Sequence, residues 1–167
     1  LVLRHLAASR IAGGTVQRVA AQVQWMPDDS VDALITDPPY YDSYPYADLS
    51  DFFFPLLASG LQRVGLPTED WKVGSLTPKD DELVVQPTRV VSGQPKDSAF
   101  YERGLKEAFE SARRAVRPNG IGVVVFANKT TQGWEAVLGA LLDAGWVVTA
   151  SWPIQTERES RTRGEAR

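Results

Sequence analysis

The run Val31-Asp32-Ala33-Leu34-Ile35-Thr36-Asp37-Pro38-Pro39-Tyr40 decides how the chain is read. Residues 31–36 form an apolar run of strand length. The two prolines stop it, because each lacks an N–H and has a fixed φ, so neither continues a ladder nor starts an interior helical turn. They hold the backbone extended and stiff just past the strand end, with the carboxylate of Asp37 before them and the ring of Tyr40 after. In an open α/β sheet that place faces the ligand crevice, at the carboxyl ends of the strands.

A loop of this kind suits transfer of a group to an exocyclic amine. Such an amine is a poor nucleophile because its lone pair is delocalised into the ring or amide. Asp37 can accept a hydrogen bond from its N–H and favour pyramidal nitrogen. The Pro38 carbonyl can accept the second N–H, since proline keeps its C=O. The Tyr40 ring can stack on a planar target, an interaction worth roughly 1–3 kcal/mol on a nucleobase. Two acceptors and a stacking face held rigidly preorganise the site around a developing positive charge.

Outward from this loop the chain reads as an α/β series. Leu3, Leu6, Ala7 and Ile11 stand at helical spacing in residues 1–12, and Gly13-Gly14 can end that helix. Thr15–Ala21 reads as a strand and Pro27–Ser30 as a turn. Leu49–Leu61 reads as a helix capped by Asp48 or Ser50, with Pro55 predicting a kink or a late start. Residues 62–97 carry Pro67, Pro78, Pro87 and Pro95 and show no clear period. A loop that long inside a domain is usually functional, so it is read as an irregular insertion forming a substrate-side lid, with an unstructured linker as the alternative.

Ser98 or Asp97 caps the next helix, whose Tyr101, Leu105, Ala108, Phe109, Ala112 and Val116 make a core stripe rather than a site. Arg117–Gly120 stops it, and Ile121–Ala127 is an apolar strand of the kind buried in a parallel sheet. Thr131 or Thr130 caps a further helix, with Trp134, Val137, Leu138, Leu141 and Leu142 as its apolar stripe. Gly145 ends it and Trp146–Trp152 is the last strand. The alternation implies parallel crossovers.

The length, 167 residues, is that of one domain, and an apolar share of 43% supports a packed core. There is no cysteine, which removes disulfides, thiol nucleophiles and cysteine-ligated zinc from consideration. The lone histidine, His5, sits in an amphipathic segment and reads as filler. No metal is expected. No apolar run reaches membrane-spanning length and the N-terminus has no signal-peptide plan, so cytoplasmic residence is the expectation. A net charge of −3 does not suit a stand-alone nucleic-acid binder. Residues 155–167 alternate arginine and glutamate and read as a solvated, charged tail.

Asp37-Pro38-Pro39-Tyr40 resembles the catalytic motif of S-adenosylmethionine-dependent amino-methyltransferases. The wider stretch Ile35–Asp42, then Pro45–Phe53, is similar to a narrower group, large prokaryotic adenine-specific DNA methylases that carry a domain of unknown function. Val123–Thr131 and Ala144–Ile154 look like the same group, so the resemblance covers most of the chain. It implies a Rossmann-like methyltransferase sheet, mostly parallel, using S-adenosylmethionine to methylate N6 of adenine in DNA. It also implies that Asp37, Pro38, Pro39 and Tyr40 are catalytic, with Asp37 touching the cofactor as well. Tyr41, Tyr44, Tyr46, Asn128 and Lys129 are expected on the substrate side. The target base would have to leave the duplex stack to reach them.

Other amines remain open: cytosine N4, an RNA base or a glutamine amide. So does an inactive, methyltransferase-like fragment. In the resembled family a glycine-rich cofactor turn lies upstream of Asp-Pro-Pro-Tyr, and an acidic residue follows the preceding strand. Here Gly13-Gly14 precedes a predicted strand, and the acidic position falls in Ala20-Ala21-Gln22. Residues 1–167 therefore read as one partial methyltransferase domain, its catalytic half, with the cofactor-turn half missing. The expected partners are DNA, the flanking segments of the parent chain and, through an exposed sheet edge, a second copy.

Overall fold

The structure is a computed structural model that describes residues 14–15, 17, 19–23, 25–63 and 76–154. The helix predicted over residues 1–12, the charged tail 155–167 and residues 64–75 of the insertion lie outside the described residues. In chain order the described elements are β1 (Val31–Thr36), α1 (Tyr46–Arg63), β2 (Gln86–Val91), β3 (Gln94–Lys96), α2 (Ser98–Ala115), β4 (Val116–Val124) and α3 (Thr131–Asp143). They make a small α/β arrangement with one parallel and one antiparallel strand pair.

β1 and β4 pair in parallel, with Ala33 opposite Ile121, Ile35 opposite Val123 and Thr36 opposite Val124. β1 has the predicted bounds, since the apolar run and the prolines mark both ends. β4 starts earlier than predicted and ends at Val124 rather than Ala127. Its register shifts between Val31 and Ala33, where Arg117–Gly120 is taken up as an irregularity inside the strand instead of a turn before it. α2 and α3 pack on one face of this pair. Tyr101, Leu105 and Phe109 meet Val137 and Leu141, and Val124, Phe126 and Trp146 close the cluster. Each such large apolar side chain, fully buried, contributes about 1.5–3 kcal/mol. A Cβ at Gly122 would lie 2.7 Å from the Trp146 ring, so glycine leaves the room that ring occupies.

Local chemistry sets the helix ends. Asp97 caps α2 by accepting from the Phe100 N–H at 2.9 Å. Thr130 caps α3 by accepting from the Gly133 N–H at 3.1 Å. Gly145, at φ +81°, closes α3 with bonds from its own N–H to Leu142 O and from the Trp146 N–H to Leu141 O, both 3.0 Å. α1 differs from its prediction. It begins at Tyr46 and runs through Pro55, and the Ala47 N–H in its first turn is served by the distant Glu82.

Several expectations change. The described residues of Thr15–Ala21 form no strand, and Trp146–Trp152 is not laddered. A strand exists only with a neighbour to bond to, and Val147 and Trp152 stay exposed. In the insertion, residues 86–96 form a hairpin. Ser92 (φ 51°) and Gly93 (φ 81°) make its two-residue loop, which suits the twist of antiparallel strands. On α3, Val137 and Leu141 are buried, but Trp134, Leu138 and Leu142 are exposed.

Among the described residues, nothing covers the second face of β1 and β4. Ile35 is 77% exposed and Ile121 65%, and Val123 is also exposed. On α1, Leu49, Phe52, Phe53, Leu56 and Leu57 form a helical stripe that is likewise exposed. No helix among the described residues is long and apolar enough to cross a membrane.

Candidate functional site

β1 and β4 end together, with the Val125 N–H bonded to Thr36 O at 2.9 Å. The segments that leave them, Asp37–Tyr46 and Val125–Thr130, therefore stand side by side at the carboxyl end of the parallel pair. Asp37 is exposed, Pro38 is buried, and Pro39 and Tyr40 are half-buried. The Tyr40 ring meets Phe126 edge-on at 5.4 Å, and Phe126 meets Trp134 edge-on at 5.1 Å. This chain of rings props Tyr40 from below while Asp37 faces solvent.

The loop turns sharply after Tyr40. The Ser43 N–H bonds Tyr40 O at 2.8 Å, and Tyr41 sits at φ 49°, a backbone region costly for a bulky side chain. Tyr41 departs from its expected place on the substrate side. It is 6% exposed and belongs to the core, its ring edge-on to Tyr101 at 5.2 Å. Its carbonyl accepts from the Val85 N–H at 3.0 Å, so it anchors the loop rather than facing the crevice. Tyr44 and Tyr46 lie 5.8 Å apart, half-buried and exposed respectively. Burial, and next the negative charge of Asp37, holds the Tyr46 hydroxyl above its ordinary range.

Asn128 braces Thr130, the cap of α3. Its Oδ1 accepts from the Thr130 N–H and from the Thr130 hydroxyl, both at 2.8 Å, and its carbonyl accepts from the Trp134 indole at 2.9 Å. Its side chain is thus spent on local structure. Lys129 is exposed beside it.

A second set of polar contacts, not legible in the sequence, fixes the first turn of α1 to the hairpin segment. Glu82 accepts from the Ala47 N–H at 2.9 Å, a capping bond from a distant residue. The Thr77 hydroxyl lies 2.6 Å from both Ala47 O and Asp51 Oδ1, and the Thr77 N–H donates to Asp51 at 2.8 Å. Lys79 pairs with Asp51 at 2.7 Å, and Arg89 with Asp48 at 3.3 Å. Lys96, fully buried, donates to Lys79 O at 2.6 Å. The bonds from Lys79 and Thr77 hold Asp51 well below its ordinary 3.8, at about 2. A depressed carboxyl contributes stability that is present above its unfolded value and lost as pH falls through its folded one. Unfolding by circular dichroism is therefore expected to show a loss of stability between about pH 4 and pH 2 that Asp51→Asn reduces. An unchanged acid limb in Asp51→Asn would remove Asp51 from that account.

The described residues do not fit most of a methyl-donor site. No glycine-rich turn follows a strand among them, and Ala20-Ala21-Gln22 offers no carboxylate. Among them there is also no cluster of histidine, aspartate and glutamate able to hold a metal ion. Compared with protein-family models, curated proteins and solved structures, the chain finds no significant match in any of the three.

Proposed function

We propose that the chain carries the target-amine side of an S-adenosylmethionine-dependent methyltransferase domain of Rossmann-like type, acting on N6 of adenine in DNA. One observation carries this reading. Asp-Pro-Pro-Tyr stands at the carboxyl end of a parallel strand, with Asp37 open to solvent and Tyr40 propped by Phe126. In this reading Asp37 accepts one N–H of the flipped base and the Pro38 carbonyl the other, while Tyr40 stacks on the ring. Both acceptors favour the nitrogen geometry in which its lone pair is free to attack. The methyl donor itself is inferred from the motif, and the residues that would hold it are proposed to come from sequence flanking this one.

A second reading, a methyltransferase-like domain without activity, rests on the same lack of a glycine turn among the described residues. Substitution of Tyr40 in the natural full-length protein tests the stacking role on which the first reading depends. Tyr40→Phe is expected to keep target affinity. Tyr40→Ala is expected to weaken it roughly 5- to 150-fold, the equivalent of one lost stacking contact. Equal affinity for adenine-containing DNA in both variants would contradict the stacking role.

A further inference from the structure

Tyr101 lies on α2, far from the motif in sequence, and is fully buried. Its hydroxyl donates to Pro39 O at 2.6 Å. The same carbonyl accepts from the Tyr41 N–H at 3.0 Å, and the Tyr101 ring packs edge-on against Tyr41. Pro39 is thus a point at which the motif is tied to the body of the fold. The pyrrolidine ring of Pro39 already locks φ. Once its carbonyl is fixed, the direction of the Pro38 carbonyl one peptide earlier follows, and so does the path into Tyr40.

We propose that Tyr101 is a positioning residue for the Asp37–Tyr40 loop, its hydroxyl setting the Pro38 carbonyl and the Tyr40 ring at the angle the target amine requires. The inference rests on the amine-binding reading of that loop. Burial pushes the Tyr101 hydroxyl up to about 12, so it remains a donor throughout the range in which the protein works. Tyr41, held at positive φ between the Tyr101 ring and Val85, is the second half of the same anchor. A strained residue of this kind persists only where its surroundings over-determine it.

The test is Tyr101→Phe, which keeps the ring and its packing and removes one hydroxyl. In the natural full-length protein it is expected to lower kcat about tenfold to hundredfold, the scale of a small misplacement of reacting groups, with KM for DNA nearly unchanged. Added to Asp37→Ala it is expected to cost nothing further, because both act through one loop. A purely structural hydroxyl would lower the melting temperature, leave kcat alone and add independently to Asp37→Ala. Either wild-type kcat or full additivity overturns the proposal. Amide hydrogen exchange supplies an arm that needs no activity: Tyr41 and Ser43 should exchange faster in Tyr101→Phe, with the rest of α2 unchanged. Unchanged exchange at both overturns the positioning role. Faster exchange in a protein that methylates nothing upholds the anchor and overturns the functional reading instead.

Discussion

Asp37→Ala in the natural full-length protein is expected to lower methyl transfer by roughly 10²- to 10³-fold, the cost of removing one preorganised polar group at a reacting centre. Affinity for S-adenosylmethionine should stay within a few-fold of wild type, because in the proposed role the carboxylate acts on the amine as it develops charge, and only interactions stronger in the transition state change the chemical step. The geometry supports this division. Asp37 is exposed at the end of β1, while the loop behind it is held by Tyr101, Val85 and the turn at Tyr41. Removing its side chain therefore disturbs no packing, and folding should be intact. Asp37→Asn keeps one acceptor oxygen and loses the charge, so it should fall between the two. Single-turnover rates with radiolabelled donor measure the effect. A kcat near that of wild type in Asp37→Ala would end the role assigned to it.

The second large effect concerns the 167-residue chain by itself, which is expected to bind S-adenosylmethionine weakly or not at all and to transfer no methyl group. Close approach to a nucleotide-like cofactor needs a glycine turn and a ribose-binding carboxylate, and the described residues provide neither. The same chain should self-associate. Parallel sheets are covered on both faces, whereas here Ile35 and Ile121 are open and α1 shows Phe52 74% exposed. Open apolar patches and unpaired strand edges of this kind recruit further polypeptide. Calorimetry with purified chain and sedimentation of the same sample test both halves. Stoichiometric micromolar binding would show that the chain holds a cofactor site, and a monodisperse monomer would show that its apolar face is tolerated by water.

What the sequence made legible was local chemistry. β1 was readable because the apolar run and Pro38-Pro39 mark its ends without help from the rest of the fold. Asp97, Thr130 and Gly145 were readable as caps because each satisfies helix groups within a few residues. What escaped depends on distant partners. Nothing in the spacing of α2 distinguishes Tyr101 from Leu105, yet only Tyr101 carries a hydroxyl that reaches Pro39. Tyr41 looked like a substrate-side aromatic, and it is buried because Val85 and Tyr101 close over it. Glu82 serves as the cap of α1 from the far side of the insertion, a bond that no local pattern contains. The hairpin had a usable sign, Ser92-Gly93 between two extended runs, but Pro87 and Pro95 suggested an irregular segment. Strand character at Trp146–Trp152 failed for the opposite reason, since apolar residues form a strand only where an edge accepts them.

The most direct test of the central claim is the identity of the methylated atom. The natural full-length protein is incubated with S-adenosylmethionine and unmethylated duplex DNA, the DNA is digested to nucleosides, and these are resolved by mass spectrometry. The proposed function predicts N6-methyladenine, absent from the Asp37→Ala reaction. Methyl groups found only on carbon-5 of cytosine, or N6-methyladenine formed equally well by Asp37→Ala, would contradict it.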